Sequence, residues 1–577
     1  MSINEFNKNL LLLLEKVYNK NEFDLNQISS QILSILNPTN ISKNEKINNI
    51  WDQKDIFLIT YADSIIDDLE VPLKSLNDFL LKFNPLINSV HILPFMPSSS
   101  DKGFSVKDYY QVSSNLGDWN DLSKISTNYN VMIDMVLNHA SKKSKWFENF
   151  INEDGHGSDF FINVNNWDGI PQVVRPRTSE LFQTVKTKSG EREVWCTFSH
   201  DQIDLDFKNP NVLIEFINIF NFYIKKNIKI FRLDAVAYIW KEENTNCINR
   251  PEAHYLIKIF RLILDYLDKR SVLITETNIP NKENLTYFGN GDEAHWIYNF
   301  TLAPLILYTL VNGDSSELRK WSMTMPPAKN GNAYFNFIAS HDGIGLRPIE
   351  GYIDEDNIEK LLMLMKKFDG KISYRTTQWG DKTPYEINIS FYDSMRGTFE
   401  GEDEFLFERF ICAHAIMFAF EGVPAIYIHS LLGTKNNIDG IQKGGENRII
   451  NRYQWDKHQL FNLLENNDSI NYKIYKKINE LLKIRIDQPA FHPNSTQFTL
   501  NLGNKIYGLW RQDLERTQSI FCVSNITKDV IKFPLNSINL IETEDWFDII
   551  TRNKILSING KIEMNPYETL WISNNIT

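Results

Sequence analysis

The run Ile228-Lys-Ile-Phe-Arg232-Leu-Asp234 is apolar and β-branched along most of its length and ends on a carboxylate. Similar runs lie at Ile56–Ala62, Val90–Phe95, Val131–Asn138, Val272–Thr277, Trp296–Phe300, Tyr334–Ser340 and Pro424–Ile428, with longer helical stretches between them. A strand without alternation is buried on both faces, as in a parallel sheet. Eight such strands, each leading into a helix, predict an α/β fold: a closed (β/α)8 TIM barrel rather than an open sheet. The spacing predicts an insertion at about 141–207 after the third strand and another at about 343–405 after the seventh. In barrels of this kind the loops after the strands build the active site.

The chain of 577 residues exceeds what one core supports, so attachments are expected. Residues 1–50 have helical apolar spacing and read as an N-terminal helical extension ending in the polar stretch Asn37-Pro38-Thr39-Asn40. The catalytic barrel is read at 51–486. From about 487 the segments Ile506-Tyr-Gly-Leu-Trp-Arg, Ser519-Ile-Phe-Cys-Val and Thr569-Leu-Trp-Ile predict a small C-terminal antiparallel β domain at 487–577.

Composition narrows the partners. With 42% hydrophobic and 23% charged residues the chain is an ordinary globular one. A net charge of -12 repels nucleic acid and anionic membranes, so neither is expected as a partner. The four cysteines, Cys196, Cys247, Cys412 and Cys522, follow no zinc or disulfide spacing and suggest a reducing compartment. The beginning of the chain lacks a basic n-region, Leu10–Leu14 is short for a signal core, and no apolar run approaches membrane-spanning length. A cytoplasmic location is the expectation. Oligomeric state is not legible.

Polar groups collect where the apolar runs stop: Asp134-Met-Val-Leu-Asn138-His139, Phe231-Arg232-Leu-Asp234, Thr275-Glu276-Thr-Asn278 and Ser340-His341-Asp342. Charges at four C-terminal tips of one barrel converge on one mouth. Arg232 and Asp234, two apart on a strand, face the same way. The arginine should favour the ionised carboxylate, as a nucleophile requires. Glu276 is on the next strand, and neighbouring strand tips about 4.8 Å apart can bring two carboxyls to the roughly 5–5.5 Å that a retaining glycosidase needs. Its acid must stay protonated, through desolvation or nearby negative charge. Asp342 is a third carboxylate, able to hold sugar hydroxyls as charge builds on the ring. His139 and His341 can donate to hydroxyls.

These four stretches, in this order and spacing, resemble the signature regions of the α-amylase clan of glycoside hydrolases, over roughly 55–485. The resemblance implies nucleophile Asp234, acid/base Glu276 and transition-state stabiliser Asp342. A narrower likeness is to the sucrose phosphorylases, carried by His91-Ile-Leu-Pro-Phe, Ser100-Asp101-Lys-Gly-Phe104, Gly117-Asp-Trp119, Arg232–Trp240 and Asn447-Arg448-Ile-Ile-Asn451-Arg452. It implies that Asp101 and Arg448 grip far hydroxyls of a glucose, that Phe104 packs beside the ring, and that Arg232, His139 and His341 complete the sugar pocket. Arg175-Pro-Arg177 in the first insertion and Tyr385 in the second are the implied phosphate contacts. The run Gly380-Asp-Lys-Thr-Pro384-Tyr385-Glu386-Ile-Asn388, with Glu276-Thr-Asn278-Ile-Pro280, is more similar to glucosylglycerate phosphorylases, which places Asn278 and Glu386 on the acceptor side. Asn138 resembles a calcium ligand of amylases, but no acidic cluster of calcium-loop type accompanies it, so no metal is expected, and no cofactor beyond phosphate as co-substrate.

The activity this implies is phosphorolysis of a small α-glucoside, glucosylglycerate favoured, through a covalent glucosyl-aspartate with release of α-glucose 1-phosphate. Sucrose, sucrose 6'-phosphate and glucosylglycerol remain open as donors. The three carboxylates alone do not separate a phosphorylase from an α-glucosidase or transglucosidase, because water, phosphate and a sugar hydroxyl meet the same intermediate. A sugar-binding scaffold without chemistry is the remote alternative.

Overall fold

The computed structural model describes residues 1–36, 50–164, 172–329, 331–376, 381–538, 545–556 and 559–574. The polar stretch Asn37–Asn40 and Gly380 lie outside the described residues.

Eight parallel strands close into a barrel: β1 (Phe57–Thr60), β2 (Ser89–Ile92), β3 (Asn130–Val136), β4 (Ile230–Asp234), β5 (Val272–Thr275), β6 (Trp296–Tyr298), β7 (Ala333–Asn336) and β8 (Val423–Tyr427). Each coincides with one of the eight apolar runs. All but the first residue of β3 are buried, because helices cover the outside and side chains fill the inside. The register sets Arg232 of β4 opposite Asp134 of β3, and Leu233 opposite Thr275 of β5.

The repeat is not uniform. After β5 the helix is only Asn281–Asn284 followed by a 3-10 turn, where longer helical stretches were expected throughout. Pro280 starts this helix, and Gly289 and Gly291 at positive φ end it, so the chain returns to β6 by a turn.

The helices α1 (Ile3–Val17) and α2 (Leu25–Leu36) precede the barrel. Ser2 and Glu5 close α1 with a reciprocal capping box. Phe6, Leu10, Leu14 and Val17 form one buried stripe, and Phe6 stacks on Tyr266 at 4.2 Å. α1 packs on the barrel helix Pro251–Leu267 and α2 on Pro210–Lys225, so both share the main core.

At the other end a six-stranded antiparallel sheet carries two cores on its two faces. Ile520, Cys522 and Trp571 face the barrel core; Phe521, Val523, Leu570 and Ile572 face a second core closed by Phe533, Ile562 and Met564 of a two-stranded sheet. The period-2 alternation of strand side chains assigns each residue to its layer.

Candidate active site

Asp234, Glu276 and Asp342 line one cavity at the C-terminal mouth of the barrel, with Asp101, Phe104, His139, Arg177, Asn278, His341, Tyr385, Glu386 and Arg448. Two expected residues are elsewhere. Arg232 lies beneath the cavity, 1% exposed. Arg175 does not face it; its guanidinium donates to the Ser179 carbonyl.

Arg232 organises the floor. Its Nη1 donates to Asp134 and, at 2.8 Å, to Asp234 Oδ1; its Nη2 is 3.8 Å from Glu276 Oε1. One guanidinium therefore touches carboxylates from three successive strands. His91 Nε2 lies 2.8 Å from the other Asp134 oxygen, and burial holds this histidine neutral. Asp134 stays low because Arg232 and His91 outweigh its burial.

Directly after the β4 tip the chain turns through Ala235 at φ +50, and the Ala235 amide donates to Glu276 Oε2 at 2.8 Å. This left-handed residue aims a backbone donor at the neighbouring strand's carboxyl. Burial raises Glu276; Asp342 and Asp134 push the same way, while Arg232 and the Ala235 amide oppose. Asp234 differs from the sequence expectation. Burial pushes its proton affinity up, the Arg232 hydrogen bond pulls it down, and Glu276 adds to the rise. The sequence showed the arginine but not the depth of the site.

Asp342 has the opposite balance. Burial pushes it up, but the guanidiniums of Arg448, Arg452 and Arg232 hold it far below the usual range. Arg448 Nη1 is 2.6 Å from Asp342 Oδ1. The same guanidinium takes Glu386 bidentately, Nε to Oε2 at 3.1 Å and Nη2 to Oε1 at 2.6 Å. Arg448 and Glu386, 62 residues apart, thus form one clamp over Asp342. The Asp342 loop is pinned by Asn451, which donates to the Ser340 and Asp342 carbonyls, and by Arg452 Nε to the His341 carbonyl at 2.8 Å.

The far wall is a sandwich of rings. Phe104 stacks on His341 at 5.1 Å with 6° between planes, and burial keeps His341 neutral. His139 Nε2 meets the Phe104 carbonyl at 3.0 Å, so its N–H is committed to the backbone. Asp101 accepts from Gln202 at 3.3 Å. Asp101 and Lys102 sit at positive φ, and Gly103 at φ +108 is packed so tightly that a Cβ there would fall 2.3 Å from the Pro94 carbonyl. Arg177 stands 5.7 Å from the rings of Phe198 and Tyr385, and Asn278 Nδ2 is 3.3 Å from the Tyr385 hydroxyl.

Sequence reasoning missed Phe198, Gln202, Tyr238 and Thr277, which also line the cavity. Tyr238 lies within a quoted motif; Phe198 and Gln202 come from the first insertion, where no strand tip marks them. Lys241 was missed too. Its Nζ is 2.5 Å from Asp204 and 2.6 Å from Asn138 Oδ1, so a fixed ammonium sits beside the amide that resembles a calcium ligand. Among the described residues no group of three or more His, Cys, Asp or Glu is placed to hold a metal ion, and no helix is long and apolar enough to cross a membrane.

The profile of the alpha-amylase catalytic domain matches residues 84–344. A glucosylglycerate phosphorylase of Spirochaeta thermophila is 37% identical over 531 residues, covering 90% of each chain. One from Escherichia coli K12 is 35% identical over 526 residues, 90% of this chain and 92% of the relative. Among solved structures, a sucrose 6F-phosphate phosphorylase from Thermoanaerobacter thermosaccharolyticum aligns with a TM-score of 0.71 at 25% identity, over 82% of this chain and 94% of that one.

Proposed function

The chain belongs to the α-amylase family, in the branch that holds the glucosylglycerate and sucrose phosphorylases, and from that membership we propose that it phosphorolyses glucosylglycerate to α-glucose 1-phosphate and glycerate. The carrying observation is the single cavity in which Asp234, Glu276 and Asp342 meet Arg177, Asn278 and Tyr385.

In this reading Asp234 attacks the anomeric carbon while Glu276 gives its proton to the departing glycosidic oxygen. Arg232 supports that division of roles. It hydrogen-bonds Asp234 and only approaches Glu276, so the proton for which the two carboxyls compete resides on Glu276. Asp342, held ionised by Arg448, faces the positive charge that builds on the ring. Glycerate leaves and phosphate takes its place. Glu276 withdraws the phosphate proton, a phosphate oxygen attacks the anomeric carbon, and the bond to Asp234 breaks. Two inversions retain the α configuration. Asp101, Phe104, His139, His341 and Arg448 would hold the glucose, and Arg177, Asn278, Tyr385 and Glu386 the acceptor side. Gripping the sugar with charged forks and ring faces fixes orientation, a large share of the barrier.

The same reading takes the barrel as 51–486 with insertions at 141–207 and 343–405, flanked by the extension 1–50 and the β domain 487–577. A cytoplasmic site of action is supported by four buried, unpaired cysteines.

The decisive assay incubates the protein with glucosylglycerate with and without inorganic phosphate. Phosphate-dependent release of α-glucose 1-phosphate is expected. Equal turnover with and without phosphate would replace the phosphorylase reading with a hydrolase.

A further inference from the structure

Behind Asn278 and Tyr385, close to the cavity but not on its lining, lies a cation that nothing in the mechanism uses. Arg347 follows Asp342 by five residues, on a segment zipped to the strand of Tyr385. Gly345 pairs with Glu386, and the Leu346 amide donates to the Tyr385 carbonyl at 3.0 Å. Asn278 presses on this segment: a Cβ on Gly345 would lie 2.7–3.2 Å from its side-chain amide atoms.

Arg347 is 9% exposed, and its Nε has no hydrogen-bond partner among the described residues. Glu350 Oε1 stands 3.9 Å from that nitrogen, is on a side chain 47% exposed, and is shared with Arg375 Nη2 at 3.2 Å. Arg177 approaches Tyr385 from the other side. Burial raises the Tyr238 phenol, and the charges of Arg347, Arg177 and Arg375 pull it back. Two guanidiniums thus share one solvent-facing carboxylate, with a third nearby. A buried guanidinium with an idle donor is costly unless a ligand supplies the counter-charge.

Resting on the phosphorylase reading, we propose that Arg347, with Arg177, recognises the anionic group of the molecule on the acceptor side: the carboxylate of a glyceric-acid aglycone or the phosphate that replaces it. Both present oxygens that suit a guanidinium fork. They occupy the site in turn, so one cationic end serves both half-reactions. A neutral aglycone such as glycerol would leave the cation unanswered, which selects against it.

The test measures glucosyl transfer from α-glucosyl fluoride to D-glycerate, glycerol and inorganic phosphate, in wild type and R347Q. The glycerate-to-glycerol ratio of kcat/KM is expected to fall by ~30- to 100-fold in R347Q, through the glycerate KM rather than kcat. The phosphate-to-glycerol ratio is read alongside. A fall in both assigns Arg347 to both anions, and a fall in one assigns it to that anion. Both ratios within about threefold of wild type would overturn the proposal. If thermal denaturation shows that R347Q does not fold, R347K is read instead. It keeps the charge but loses the fork, so a fall of about fivefold is expected and an unmoved ratio overturns. A wild-type chain with no phosphate-dependent transfer sinks the phosphorylase reading, while the glycerate-to-glycerol ratio still judges Arg347.

Discussion

Replacing Arg232 with Gln removes a cation that bonds the carboxyls of Asp134 and Asp234 and lies 3.8 Å from that of Glu276. At 2.8 Å from Asp234 and an effective dielectric near 20, the lost attraction is about 6 kcal/mol. Water entering the space and partial reorganisation would return about half, leaving ~3 kcal/mol, or about 2 pKa units on the nucleophile. The sign is upward, because burial already raises Asp234 and Arg232 is the first force opposing it. Hydrolysis of α-glucosyl fluoride isolates this effect, since fluoride departs without a proton from Glu276. The acid limb of kcat/KM, which marks ionisation of Asp234, should move up by about 2 pH units, so that at a fixed pH on that limb the rate should fall ~100-fold. A folded R232Q protein with an unshifted acid limb would refute the claim that this guanidinium keeps the nucleophile charged.

Three further outcomes follow from other contacts. Lys241→Met should lower stability by about 3–5 kcal/mol in chemical denaturation, because it strands Asp204 buried without its ammonium; a loss under ~1 kcal/mol would show that the pair is not structural. Gly103→Ala forces a Cβ against Pro94 in a left-handed turn and should cut kcat/KM by ~10-fold or more by displacing Asp101 and Phe104, a result read from steady-state kinetics with a melting curve as control. Glu421, raised by burial to about 7, binds a proton in the folded chain that the unfolded chain has already released between its ordinary pKa and 7. Stability should therefore decline as pH rises through that window, by about 3 kcal/mol. Glu421→Gln should flatten this slope in urea titrations at pH 5 and 8; an unchanged slope removes Glu421 as its source.

The barrel was legible because burial on both faces writes itself into sequence as unbroken apolar runs, and all eight runs are strands. Where the polar groups gather was legible for a related reason: a charge ending such a run has only the barrel mouth to point at. Partner choice was not legible. Arg448 meets Glu386 across 62 residues, and Lys241 meets Asn138 across 103, and no periodicity encodes either pairing. Arg175 and Arg177 look equivalent in sequence, yet one bonds a carbonyl and the other faces the cavity, a distinction set by the path of the loop. The opposing push of burial on Asp234 was not legible, because a neighbouring arginine is visible in sequence and depth of burial is not. The short helix after β5 was missed for want of weighing Pro280 and the glycines that bound it.

Which oxygen carries the sugar between the two displacements can be seen directly. The protein would be incubated without phosphate with 5-fluoro-α-glucosyl fluoride, digested, and its peptides mapped by mass spectrometry. A single hexosyl adduct on Asp234, released as a glucosyl phosphate when inorganic phosphate is added, is the predicted result. An adduct on Glu276 or Asp342, or turnover with no adduct in a chain that folds, would contradict it.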